Sequence, residues 1–189
     1  MYCLNRINNR FFSIFIILFF PLLTFAEMQS LDSAIRSNVE SQIESLLSAS
    51  ETPEGVVFDI ETMDPLALQK ITPYLLEQVK RVKAAYPESH IAVVSHGVEE
   101  YALTSKANVD FSSLHSLLNK MVLEQEVSLH VCGAVAGLKG LEREDFPGFV
   151  SFSASGQAQL NDYKALDYVV IVVEVLKDHQ RKQLFNQAK

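Results

Sequence analysis

Cys132 offers the most chemistry in this chain. It follows a predicted strand over residues 127–131 and precedes Gly133, after which a short helix is expected. Backbone N–H groups at a helix start favour a thiolate, and a glycine lets the backbone come close to a ligand. A thiolate so placed can attack a sulfane sulfur and hold it as a persulfide. The competing reading is a small buried hydrophobe, the usual role of a free cysteine.

Two histidines could share that site. His130 lies two residues before Cys132, and side chains so spaced on a strand share a face. His96, followed by Gly97 at the end of another predicted strand, could orient a substrate or steady a thiolate; its alternative is a locally bonded turn histidine. With Cys132 the two would make a soft site for copper or zinc, although they stand on loosely spaced elements, and no resident metal or cofactor is expected. Asp59 and Glu61 end the first predicted strand and suit either a carboxylate pair or surface caps. His115, beside a helical apolar stripe, reads as structural. The chain has no Walker motif, GxGxxG, CxxC, HExxH or GxSxG, so nucleotide binding and hydrolysis by a standard triad have no support.

The elements that position these residues begin after an N-terminal segment that must be set aside. Arg6 and Arg10 precede a nearly continuous apolar run over 11–23, and Thr24-Phe25-Ala26 offers small residues where a signal peptidase reads. This pattern predicts a secretory signal peptide over 1–26, cleaved before Glu27. The run is too short to span a bilayer as a helix, so no stable membrane insertion is expected after cleavage, and the product should be periplasmic or secreted. Cleavage removes Cys3, two arginines and no acidic residue, leaving 163 residues with a net charge of −9. Such a chain repels phosphate backbones, which argues against nucleic acid as a partner. Cys132 is then the one cysteine left, so no internal disulfide can form.

Leu31, Ile35, Val39, Ile43, Leu46 and Leu47 recur at helical spacing, predicting a helix over 28–50. That helix and a linker fill 27–52, ahead of a domain over 53–189. Strands are predicted at 56–60, 90–95, 127–131, 149–152 and 168–175. Helices fall between them at 65–86, 98–104, 111–125 and 155–166, with a polar helix or frayed tail from 177. Asp64 should cap the helix that starts at Pro65, and Pro73 should kink or restart it. Strands alternating with helices predict a parallel sheet covered on both faces. Ligands of such sheets collect beyond the carboxyl ends of the strands, where Asp59, His96 and Cys132 all fall.

Three stretches resemble the DsrE/DsrF-like sulfur-relay family. They are Ile91-Ala92-Val93-Val94-Ser95-His96-Gly97, Val127-Ser128-Leu129-His130-Val131-Cys132-Gly133, and the segment from Ser155-Gly156 to Tyr168 leading into a hydrophobic strand. The resemblance covers roughly residues 54–175 and rests on order and spacing. It implies a three-layer α/β/α domain with a five-stranded parallel sheet, to which this chain adds an N-terminal helix. It further implies a homo-oligomer, trimeric or hexameric, with Cys132 as the sulfur-carrying cysteine. The expected function is that of a periplasmic sulfur carrier exchanging sulfane sulfur with a thiol-bearing partner protein. Backbone near Gly133 and the side chains of His96 and His130 would line the site. The alternative is a non-catalytic oligomeric module that binds a small ligand or a metal.

Overall fold

The computed structural model describes residues 23–186, with side chains from Ser33 onward. The expected signal peptide lies outside the described residues except for its last four, which open the first helix. The elements are α1 (Leu23–Leu47), β1 (Gly55–Ile60), α2 (Ala67–Ala85), β2 (His90–Ser95), α3 (Ser112–Gln125) and β3 (Val127–Cys132). They continue with α4 (Gly133–Ala136), β4 (Ser151–Ser153), α5 (Gly156–Ala165), β5 (Val169–Glu174) and α6 (Asp178–Asn186). A short 3-10 segment, Val98–Leu103, follows β2. Among the described residues no helix is long and apolar enough to cross a membrane.

The five strands form one parallel sheet in the order β4-β3-β2-β1-β5. This is the α/β architecture expected from alternating strands and helices. Strand alternation sorts the side chains into two layers. Val56, Phe58, Ile60, Ile91, Val93, Leu129 and Val131 face a large apolar core shared with α1, α2 and α3. Val57, Ala92 and Val94 face Leu160 and Tyr163 of α5 on the other side. β1 is buried along its whole length, which is why it reads as a continuous apolar run rather than an alternating one.

Helix α1 covers one end of the first core layer, burying Val39, Ile43 and Leu46. It also closes the outer edge of β5. Gln42 donates to the Val172 carbonyl at 2.9 Å and accepts the Val172 N–H at 2.9 Å, as a neighbouring strand would, and Asn38 donates to the same carbonyl at 3.1 Å. Arg81 of α2 ties the helix down through Glu40, at 2.7 Å, and Glu44.

Three local expectations are corrected. Helix α2 does not restart at Pro73 but continues through it, as Leu68, Ile71, Leu75, Val79 and Val82 keep one stripe buried on both sides of the proline. The helix starts at Ala67 rather than Pro65. Asp64 instead closes the preceding turn, its carboxylate accepting the Leu66 N–H at 2.9 Å and its carbonyl the Ala67 N–H at 3.1 Å. The fourth strand is Ser151–Ser153, two residues later than the apolar pattern suggested at its start. Phe149 and Val150 pack into the core as loop residues ahead of it.

Candidate functional site

In-register parallel pairing brings the carboxyl ends of β1, β2 and β3 to one edge of the sheet. Strand order reverses at β1, with β2 on one side and β5 on the other, and ligand crevices open at such points. Here the edge holds a dense group of buried polar side chains: Asp59, Glu61, Ser95, His96, Glu99 and Glu100. The expectation that Asp59 and Glu61 cap a surface is therefore wrong. Both are turned inward, where each needs a partner.

His96 is hydrogen-bonded to Asp59 and lies close to Glu61. Its Nε2 lies 2.7 Å from Asp59 Oδ1 and its Nδ1 3.7 Å from Glu61 Oε1. The first residue of α5 fixes the ring from the other side: a Cβ on Gly156 would sit 2.3 Å from His96 Cβ. Glu61 in turn accepts the Leu176 N–H at 3.2 Å and a two-pronged contact from Arg181, with Nε at 2.7 Å. This pair joins α6 to the end of β1.

Gly97 is demanded by close packing. A Cβ there would lie 2.4 Å from the Thr62 backbone and from Glu99 Oε2. The carboxylate of Glu99 knits the two strand ends, accepting Ser95 Oγ at 2.8 Å, Gly97 N–H at 2.9 Å and Thr62 N–H at 3.0 Å. Burial pushes its pKa up to about 7 against these hydrogen bonds. Its neighbour Glu100 accepts the Cys132 N–H at 2.8 Å through Oε2, while Oε1 is buried with no partner. Burial pushes Glu100 up to about 9; the Cys132 N–H and, more weakly, the Ala136 N–H oppose this, and Glu99 adds to it. Burial thus favours the protonated form of the Glu100 carboxyl.

Cys132 ends β3 at 4% exposure. Val135, Leu176 and Leu184 pack around it, with Met63, Val98, Tyr101 and Leu138 beyond. The backbone N–H groups of Gly156 and Val135 would hydrogen-bond a thiolate here, but burial outweighs them and the thiol pKa is raised. The expectation of a thiolate favoured at rest is corrected accordingly: desolvation by the α6 cover wins over the helix starts. The expected role of Gly133 changes too. A Cβ there would lie 2.7 Å from Phe152 Cε1, so the glycine is required by packing against β4.

His130 shares its face of β3 with Cys132, as strand alternation dictates, but both ring nitrogens are committed elsewhere. Nδ1 lies 3.1 Å from Ser153 Oγ and Nε2 2.8 Å from the Tyr163 hydroxyl. Burial lowers its pKa, with His90 adding to the effect, and the ring lies against Tyr163 of α5. Cys132, His96 and Gly97 thus belong to the carboxyl edge, while His130 belongs to the α5 layer. Among the described residues no group of three His, Cys, Asp or Glu side chains is placed to hold a metal ion. His115 is a buried ring whose Nε2–H donates to the Ala102 carbonyl at 2.8 Å.

Sequence reasoning missed Glu99, Glu100 and Arg181. A signal existed for the first two: adjacent acids inside the otherwise apolar stretch Val98-Glu99-Glu100-Tyr101-Ala102-Leu103, directly after a buried strand and turn.

No protein-family model and no curated protein matches the chain. Among solved structures, it is similar to a protein of unknown function from Methanobacterium thermoautotrophicum, with a TM-score of 0.49 and 20% identity over 62% of this chain and 96% of that one. A conserved protein of unknown function from Bacteroides thetaiotaomicron gives a TM-score of 0.44 and 12% identity over 63% and 94%.

Proposed function

We propose that the chain is a sulfur carrier of the DsrE/DsrF-like kind, working outside the cytoplasm and loading sulfane sulfur onto Cys132. The observation that carries this reading is the setting of the Cys132 sulfur, at the carboxyl edge of the sheet with N–H groups from the starts of two helices turned toward it. The balanced step is a displacement. The Cys132 thiolate attacks the outer sulfur of thiosulfate, an S–S bond forms, the old S–S bond breaks, and sulfite leaves with its electron pair. A partner thiolate then removes the outer sulfur in the same way. Neither step needs an external oxidant.

Burial beneath Leu176 and Leu184 means that α6 must lift before a donor or a partner thiol can reach the sulfur. Arg181 is the residue that holds it down. Incubation with thiosulfate, followed by intact-protein mass spectrometry, should show one added sulfur atom on the wild type and none on Cys132→Ser. An unmodified wild type, even after prolonged incubation, overturns the reading.

The raised thiol pKa and apolar surroundings of Cys132 favour a second reading, a non-catalytic oligomeric module in which the cysteine is packing. Under it, maleimide would label Cys132 only at the rate of global unfolding.

A further inference from the structure

Glu100 has one carboxyl oxygen that the fold leaves unused. Oε2 accepts the Cys132 N–H at 2.8 Å, while Oε1 is buried and makes no hydrogen bond. An unpaired buried polar atom is costly and uncommon. Glutamine could serve the Cys132 N–H equally well without carrying a titratable proton into the core. The carboxyl sits against the backbone of the one cysteine at the mouth of the sheet, and it comes from a different element, the 3-10 segment Val98–Leu103. Since Oε2 is acting as an acceptor, the acid proton belongs on Oε1, which is then a donor without an acceptor.

We infer that Glu100 Oε1–H is the hydrogen-bond donor for the outer sulfur carried on Cys132. This deepens the sulfur-carrier reading and rests on it. A persulfide adds one sulfur beyond the cysteine and places an anionic atom there. The N–H groups of Gly156 and Val135 face the inner sulfur, so the outer one needs a donor of its own. A neutral acid meets that need without repelling the anion, as a carboxylate would. Burial favours the neutral form of Glu100. No bond is made or broken by Glu100; it holds the loaded state.

The test loads wild type, Glu100→Gln and Glu100→Met with thiosulfate and follows persulfide lifetime by mass spectrometry under a fixed thiol challenge. Glutamine keeps a donor and an acceptor at the position, so its lifetime should stay within about twofold of wild type. Methionine fills the space with neither, and its persulfide should decay about tenfold faster, the scale of one hydrogen bond to a charged group. Glu100→Met should also titrate its persulfide absorbance at higher pH, a change that looser packing alone would not produce. A second measurement reads the wild type directly, with Glu100→Gln as its control. Loading the wild type should shift the stretch of a protonated carboxylic acid in the infrared difference spectrum, and that band should be absent from Glu100→Gln. A wild type that loads, with no such band and with wild-type lifetime in Glu100→Met, overturns the inference and leaves the carrier reading standing. A wild type that never loads overturns both.

Discussion

At the scale of single residues, two neighbouring carboxyl groups set the pH behaviour of the fold. Folding raises the pKa of Glu99 to about 7 and that of Glu100 to about 9, from a usual value of 4.5. Above that usual value the unfolded chain has released protons that the folded chain still holds. Stability from these groups is thus complete below about pH 4.5 and is lost as pH rises, through about 7 for Glu99 and about 9 for Glu100. The groups facing Glu100 are Glu99, Tyr101 and Cys132. In Glu100→Gln the decline in urea midpoint should level off near pH 7 instead of near pH 9. An unchanged profile would mean that Glu100 is ionised in the folded protein. Gly156→Ala tests the other side of the site: its methyl group would collide with His96, costing about 1–3 kcal/mol in urea unfolding. Cys132, His96 and Gly97 were legible because a special residue at a strand end is a local signal. The role of Glu100 was not, because a glutamate reads as solvated until tertiary packing removes its water.

At the scale of elements, α6 is a polar helix held over the site by few attachments. Leu184 is its buried side chain, and Arg181 makes the ion pair with Glu61, whose side chain is 3% exposed. Removing the guanidinium strands a buried carboxylate that can regain water only if the helix lifts. Arg181→Ala should therefore speed maleimide labelling of native Cys132 about tenfold with little change in the global unfolding midpoint. Equal labelling rates would show that α6 does not gate the thiol. The five strands were legible because four of them are six-residue stretches rich in valine, isoleucine and leucine. β4 was misplaced by its brevity, since three residues carry almost no periodic signal. The helix does not restart at Pro73 for a different reason: a local rule about proline gave way to five buried residues on one stripe. The last helix was read as a helix or frayed tail, because its one buried leucine gives no amphipathic pattern.

At the scale of the whole molecule, the sheet has two edges and treats them differently. β4 is only three residues long, whereas β5 is six and is closed by Gln42 and Asn38 from α1. The proposed trimer or hexamer should appear in sedimentation equilibrium as three or six times the chain mass, and a monomer at micromolar concentration would remove that part of the proposal. Gln42→Ala should lower stability by about 1–2 kcal/mol in urea unfolding, for the two hydrogen bonds lost at Val172. A helix standing where another strand would pair also has a protective meaning. Without α1, the flank of β5 becomes a ready template for a second chain. A version trimmed to begin after Ala49 should fail by precipitating as stacked sheets well below its melting temperature, so the segment ahead of the domain guards solubility as much as it adds to the core.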